Sequence, residues 1–393
     1  MNKTQDISNV NEQTMKSYNL TKVLGIVLAI MGFFTAIHFL GMSFQSIGSD
    51  FSQNFEIAFG NPAIGLFIGL LGTAILQSSS TTTSMAVAAV AAGTITLENA
   101  IPVVMGANIG TTLTSTIVSM SYVTKTAEFK KAVVAGTSHD IFNVLTCIIL
   151  FPLELKYGVL SQFSHSLASL FDLGTTSSSS TDKIFIYRFL DTIGGTLINW
   201  TGGYVLLIAS IIGLFGTVKA ISNISYNQLI GPTRARFEAI AFQNTFRSFG
   251  WGFLLTAVIQ SSSITTSLIV PLAATGKVPV KRAFEFVIGS NIGTTITAIL
   301  AALFKSEAAM SLAFAHFLFN MAGMILFIGV PLLRKLPLYL ADKLGSIALR
   351  FKLSAFAYIL VLFFVLPFTL IYFSKPKQQT TPTTSQEEVI TNN

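Results

Sequence analysis

The chain has 393 residues, 51% of them hydrophobic and only 10% charged, whereas soluble domains carry charge at about a quarter of their positions. That composition excludes an ordinary water-facing surface. The net charge of +7 would suit an acidic partner, but Lys and Arg fall between apolar stretches, where membrane orientation accounts for them, so nucleic acid is not expected as a partner.

Residues 1–19 are polar and read as a cytoplasmic tail. The apolar stretch at 20–44 is longer than the core of a secretory signal and is followed by no convincing small-residue cleavage site, so it reads as a retained membrane helix. Apolar stretches follow at 62–76, 84–104, 133–152, 201–218, 249–259, 283–304, 309–333 and 353–374. Several reach the ~20 residues that cross a bilayer core, and others are too short. Cys147 is the single cysteine, so an intramolecular disulfide and a cysteine-based metal cluster are both out of reach. The fold expected is an all-α polytopic membrane protein.

One polar run recurs inside these stretches: QSSSTTTS at 77–84 and QSSSITTS at 260–267. Shifting the sequence by 183 residues aligns 77–114 with 260–297 without a gap, and 19 of the 38 positions are identical. Unrelated apolar segments would share only a few, so the chain reads as a duplication. GANIGTTLT at 106–114 pairs with GSNIGTTIT at 289–297, and HDIFN at 139–143 with HFLFN at 316–320. The unit is too long and too seldom repeated for a solenoid.

The organisation expected is a first repeat at 20–154, an extracytoplasmic linker at 155–200 carrying GTTSSSSTDK (174–183), and a second repeat at 201–333. A connecting segment and a last membrane helix follow at 334–374, then a tail at 375–393 too polar to pack a core. Lys125, Lys130 and Lys131, then Lys219, Arg234, Arg236, Arg247, Lys277, Lys281 and Arg282, then Arg334, Lys335, Lys343, Arg350 and Lys352 all fall on the inner side only if each QSSS segment enters and leaves on one side. Each repeat then holds a re-entrant helical hairpin, the two repeats are inverted, seven helices cross fully, and the carboxyl end emerges outside.

A hairpin tip at membrane depth must point into protein or water, because each unpaired backbone group costs several kcal/mol in lipid. The second short helix of a hairpin offers free N–H groups and a positive dipole end to an anion. Serine and threonine hydroxyls add donors without adding charge, and glutamine adds both a donor and an acceptor. Glycines 106, 110, 289 and 293 flank Asn108 and Asn291, a pattern that permits a broken transmembrane helix in each repeat. Carbonyls freed there, with Thr111, Thr112, Thr114, Thr294, Thr295 and Thr297, would suit a small hard cation such as sodium. No charged residue occurs at 62–92 or 248–276, so an anion held between these segments would need cations to accompany it.

Serine and threonine in membrane helices also serve plain helix packing, with glycine beside them for close approach. Retention of the glutamine and asparagine in both copies argues for more than packing. His139 and His316 read as hydrogen-bonded interior residues, with no metal-ligand spacing around them. Asp140, matched by Phe317 in the second copy, is a functional candidate unless it is solvated at a loop end. Glu98, Lys281, Arg282 and Glu285 are expected near the interface, with no chemistry assigned. A serine hydrolase would need a base beside a serine, and neither a Gly-flanked nucleophile nor an orienting partner is evident. The chain is not expected to be an enzyme.

The segments QSSSTTTS, IPVVMGANIGTT, FKKAVVAGTSHDIFN, VIQSSSITTS and GSNIGTTITAILAAL closely resemble the type II sodium-dependent phosphate cotransporters over nearly all of residues 20–370. The resemblance implies sodium-coupled import of inorganic phosphate by alternating access, with sodium as coupling ion and no cofactor. A close alternative is import of another oxyanion, such as arsenate, sulfate or a small carboxylate. By position, phosphate contacts fall at Ser78, Ser79, Ser261 and Ser262, supported by Gln77, Asn108 and Thr111. A sodium site falls at Gln260, Ser261, Ser290, Asn291, Thr294 and Thr297. Asp140 matches an aspartate tied to an additional sodium and to electrogenic transport. The shorter linker, and a chain that stops in a polar tail, suggest a bacterial member in a plasma membrane.

Overall fold

The computed structural model describes residues 21–47, 60–170, 185–229, 240–303 and 305–374. Among these, every regular element is a helix. The proposed tails, the run at 174–183, and Arg234 and Arg236 lie outside the described residues. Seven helical stretches are long and apolar enough to cross a membrane: Thr21–Ile47, Leu97–Met120, Thr126–Tyr157, Gly203–Asn227, Val280–Ala302, Glu307–Gly329 and Leu353–Phe373. Seven is the number of full crossings expected from the charge pattern.

The first of these is α1. Two shorter helices follow, α2 (Pro62–Leu76) and α3 (Ser79–Ala91), of 15 and 13 residues. Neither reaches the ~20 residues that span the hydrocarbon core. The crossing at 97–120 comprises α4 (Leu97–Thr111) and α5 (Leu113–Met120), and α6 is Thr126–Tyr157. In the second half, α10 (Thr245–Ile259) and α11 (Ser262–Ala274) again have 15 and 13 residues. Their four bounds are those of α2 and α3 displaced by the repeat interval. Capping chemistry sets the shared start. Asn61 accepts the N–H of Ala63 at 3.0 Å before Pro62, and Asn244 accepts that of Arg247 at 2.9 Å.

Between the pairs lie α7 (Val159–Leu170), α8 (Phe185–Thr201) and α9 (Gly203–Leu229). The linker expected at 155–200 is thus largely helical where it is described. Glu154, buried near the end of α6, turns the chain into α7 by accepting the N–H groups of Leu160 and Ser161. That cap replaces the solvent expected there. After α11 come α12 (Val280–Ala302), α13 (Glu307–Met324) with a π-helical turn at Ile325–Gly329, and α14 (Leu336–Arg350). The last stretch is α15 (Leu353–Leu360), a π-helical turn at Val361–Val365, and α16 (Leu366–Ser374). The second-half helix α12 sits centrally, packed on α10, α11 and α13 and also on α3 and α6 of the first half.

The NIGTT segments depart from expectation. Helix α12 runs unbroken through Gly289, Asn291, Gly293, Thr294 and Thr297. In the first half only Thr112 separates α4 from α5, and its φ of −75° and ψ of −17° stay right-handed, with its N–H bonded to Ile109 O at 3.1 Å. That is one tightened turn of 3₁₀ type and not an open break. The glycines serve close approach instead. A Cβ on Gly106 would lie 1.8 Å from the carbonyl oxygen of Leu66, and one on Gly289 would lie 2.0 Å from that of Phe249. Gly69 and Gly252 on the facing helices are equally tight, at 1.9 Å from Val103 O and Phe286 O. So α2 on α4, and α10 on α12, are packed backbone to backbone by small residues.

Glu285 also departs from expectation. It is 1% exposed, and its carboxylate receives Arg282 at 2.7 Å, Arg334 at 2.8 Å and the Thr245 hydroxyl at 3.0 Å. A buried carboxylate persists only when its charge is paired and its lone pairs are filled. Here it ties the start of α10 to α12 and to the segment before α14.

Gly106→Ala and Gly289→Ala are each expected to destabilise the purified protein by about 1–3 kcal/mol, the usual cost of overpacking. Gly216→Ala on α9, where a Cβ meets nothing within 4 Å, is expected to leave thermal stability unchanged or slightly raised. Melting curves in detergent for the three variants make the comparison.

Candidate functional site

Each short-helix pair turns within two residues. Gln77 ends α2 in the left-handed region (φ 56°, ψ 28°), and Gln260 ends α10 in the same way (φ 59°, ψ 23°). They are the only non-glycine residues with positive φ among those described. The left-handed conformation costs an L-residue roughly 1–2 kcal/mol, so both tips carry the same strain. It is offset by bonds from the Gln77 N–H to Thr73 O and from the Gln260 N–H to Thr256 O, each at 2.7 Å. The next residue is extended, φ −150° at Ser78 and −148° at Ser261, and caps the following helix. Ser78 Oγ accepts the Thr81 N–H at 3.2 Å, and Ser261 Oγ accepts the Ile264 N–H at 3.4 Å.

The two tips bond to each other reciprocally. Ser80 Oγ donates to the carbonyl of Gln260, and Ser263 Oγ donates to the carbonyl of Gln77, both at 3.2 Å. Thr297 lies 3.4 Å from Ser80 and donates to Gln260 Oε1 at 2.7 Å, while its counterpart Thr114 lies 3.5 Å from Ser263. Left-handed turns leave carbonyls that no helix satisfies. Here the third serine of each QSSS run satisfies the carbonyl of the opposite tip.

A second layer crosses the halves through amides. His139 Nε2 meets Asn291 Oδ1 at 2.6 Å, and Asn291 Nδ2 donates to Asn143 Oδ1 at 2.7 Å. In the other direction His316 Nε2 and Asn320 Nδ2 meet Asn108 Oδ1 at 3.2 and 3.1 Å, and Asn143 Nδ2 donates to Asn108 O at 2.8 Å. All six side chains are buried. Each histidine therefore bonds the asparagine of the opposite repeat, as interior residues were expected to do.

Asp140 is fully buried in the middle of α6 and not at a loop end. Thr116 Oγ1 donates to Asp140 Oδ2 at 2.7 Å, the Thr112 and Tyr358 hydroxyls lie alongside, and Oδ1 has no hydrogen-bond partner among the described residues. The hydroxyl of Thr111 is likewise buried without a partner. A carboxylate with one open oxygen amid hydroxyls is a set of hard oxygen donors.

Of the proposed phosphate contacts, Ser78 and Ser261 line one cavity of about 210 Å³ together with Gln77 and Ser263. Ser79 and Ser262 are buried in the first turns of α3 and α11. Of the proposed sodium set, Gln260 and Thr297 are bonded to each other. Ser290 Oγ pairs with Thr256 Oγ1 at 2.7 Å, and Thr294 donates to Ser290 O at 3.0 Å along α12. Asn291 is committed to the cross-repeat amide layer.

Sequence reasoning missed four participants. Ser80 and Ser263 were visible inside the repeated octapeptide, but their reciprocal bonding depends on how the tips meet. Tyr358 arrives from the last helical stretch, which has no counterpart in the repeat. Lys219 was read as an inner-side loop charge. It is instead the seventeenth residue of α9 and lines the cavity beside Ser78 and Ser261. The helix start at Gly203 is the signal that would have placed it inside the span.

Fold and site define a polytopic helical membrane protein built on a duplicated polar tip. The chain belongs to the Na+/Pi-cotransporter family, whose pattern matches residues 33–171 and 214–334. It is similar to human sodium-dependent phosphate transport protein 2B, at 28% identity over 88% of this chain and 65% of the relative. It is also similar to the mouse and rat sodium-dependent phosphate transport proteins 2A, each at 30% identity over 88% of this chain and 67% of the relative. The chain thus spans about two thirds of the length of the curated relatives it matches. No solved structure matches it.

Gln77→Gly is expected to relieve left-handed strain and raise the melting temperature, since glycine adopts positive φ freely. Gln260→Gly relieves the same strain but removes the acceptor of Thr297, and a lost buried partner costs about 1–3 kcal/mol. Its melting temperature is expected to fall. The opposite signs in paired melting curves test the asymmetry.

Proposed function

We propose that the chain imports inorganic phosphate with sodium by alternating access. The observation that carries this reading is the meeting of the two tips, with Ser78 and Ser261 on one cavity and each tip's carbonyl held by the other's third serine. Two inverted repeats, at 20–154 and 201–333, each contribute a re-entrant hairpin, and the linker at 155–200 lies outside. The names of the relatives supply the substrate class, and the chemistry of the site suits it. Uncharged hydroxyls at two helix N-terminal ends favour an oxyanion without trapping it, which a carrier must also release.

In this reading Ser78 and Ser261 bind phosphate, with Ser79 and Ser262 behind them in the first helical turns. Gln77, Asn108 and Thr111 support that site. Gln260, Ser261, Ser290, Asn291, Thr294 and Thr297 provide a sodium site beside the second tip. Bound sodium offsets the anion in a pocket whose hairpins bear no charge. Asp140 takes a further sodium with the hydroxyls around it, which makes the cycle electrogenic. Moving one charge through 100 mV is worth about 2.3 kcal/mol, so that ion adds directly to the gradient the protein can sustain. The orientation, amino end inside and carboxyl end outside, is read from the lysine and arginine distribution, and location in a bacterial plasma membrane from the shorter linker.

The site is equally open to other tetrahedral oxyanions, and competition by arsenate or sulfate against labelled phosphate ranks them. A hydrolase reading needs a base bonded to a tip serine, and the hydrogen bonds of His139 and His316 go to Asn291 and Asn108 instead.

The test is uptake of labelled phosphate into reconstituted vesicles with and without an inward sodium gradient. The wild type is expected to accumulate phosphate only with the gradient. Ser78→Ala combined with Ser261→Ala is expected to lower that rate by about a hundredfold or more, since a hydrogen bond to a charged group is worth about 1.5–3 kcal/mol. Asp140→Gly is expected to keep uptake while abolishing net charge movement. Unchanged charge movement per phosphate in that variant would remove the role given to Asp140.

A further inference from the structure

The cavity between the tips has a third wall that neither short-helix pair supplies. Besides the residues of the two tips, it is lined by Phe215, Val218, Lys219, Ser222 and Asn223 of α9. These belong to a helix outside both hairpins and bring different chemistry. Among the described residues Lys219 is the one charged side chain lining the cavity, and its ammonium lies 5.7 Å from the centroid of the Phe215 ring, which also lines it. Ser222, one turn further on, is 2% exposed, and its hydroxyl has no hydrogen-bond partner among the described residues. A buried hydroxyl left unpaired costs free energy comparable to a lost hydrogen bond. A residue that lines the cavity with its donor left unpaired is therefore available to a ligand that enters.

We propose that Lys219, Ser222 and Asn223 of α9 form the third face of the anion site, with Lys219 supplying the positive charge that the hairpins lack. This rests on the transport reading above and adds to it a direct contact with the substrate. The physical case is one of complementary deficits. The tips offer hydroxyls and helix ends but no full charge, whereas phosphate near neutral pH carries one to two negative charges. A lysine holds such an anion as a mobile point charge and not through a rigid fork. The flexible stem lets it follow the ligand as the tips rearrange. The placement also lowers by one the number of sodium ions needed to offset a given anion, because one of the compensating charges then belongs to the protein.

Lipid headgroups share this chemistry, so one arm of the test uses soluble phosphate on detergent-purified protein. In reconstituted vesicles Lys219→Met is expected to raise the phosphate concentration for half-maximal uptake about tenfold, the effect of one lost charge-assisted contact. The maximal rate at saturating phosphate is expected to stay within about twofold, as for a residue that contributes ground-state binding. Lys219→Arg is expected to restore most of the affinity, because it keeps the charge. In detergent with sodium, inorganic phosphate is expected to raise the melting temperature of the wild type, and Lys219→Met to need about tenfold more phosphate for the same rise.

Should Lys219→Met fail to yield folded protein, Ser222→Ala carries the test, with half-saturation raised about threefold or more from the lost hydroxyl donor. Wild-type half-saturation in the folded Lys219→Met protein, or in Ser222→Ala where that protein does not fold, overturns this assignment and leaves the transport reading standing. A wild-type protein with neither sodium-dependent uptake nor a phosphate-dependent rise in melting temperature overturns the transport reading itself.

Discussion

The structure depends on one constraint: polar groups buried in an apolar protein must be satisfied by other buried groups. Two short helix pairs that turn inside the protein create carbonyls with no helical partner. The solution here is mutual. Ser80 covers the carbonyl of Gln260 and Ser263 covers that of Gln77, so neither tip is complete without the other. The same reciprocity recurs one layer away, where His139 reaches Asn291 and His316 reaches Asn108. Duplicated sequence and duplicated dependence are then one fact. Each copy of the motif is a partner for the other and not a spare.

That constraint fixes what the surrounding helices must do. The tips meet only if α2 and α10 lie close against α4 and α12, and glycines at the contact make that approach possible. Rigid backbone packing at those contacts holds the strained turns at Gln77 and Gln260 in place. Function then follows from a contrast in stiffness and charge. Tight, uncharged tips present hydroxyls, whereas Asp140 and Tyr358, and Lys219 near Ser222, bring ionisable groups from helices outside the two short-helix pairs. In the proposed cycle, charge compensation comes from those outer helices and from sodium, so the central site stays neutral enough to empty.

Much of this was legible in the residues. The repeat interval of the sequence recurs in the bounds of the short helices. Seven long helices were countable from the apolar stretches and the charges between them. What failed did so for identifiable reasons. Glycine relieves both backbone dihedral limits and side-chain volume, and a sequence does not show which is in use, so Gly289 and Gly293 suggested a broken helix where α12 is continuous. Glu285 looked like an interface charge because two of its three partners, Thr245 and Arg334, are distant in sequence. Lys219 was hidden by the positive-inside pattern, which explains a lysine near a span so readily that its place within α9 went unremarked. Tyr358 belongs to the unduplicated final stretch, where comparison of the two copies offers no guide.

The central claim is that the two tips share one ligand across their meeting point. Its most direct test places cysteines at Leu76 and Ile264, which line the cavity beside the two tips, in a Cys147→Ser background and treats the protein with a short bifunctional thiol reagent. The account predicts an intramolecular cross-link that blocks transport, and whose formation is slowed by phosphate together with sodium. Cysteines that react singly but never join, or a cross-link indifferent to phosphate and sodium, would contradict it.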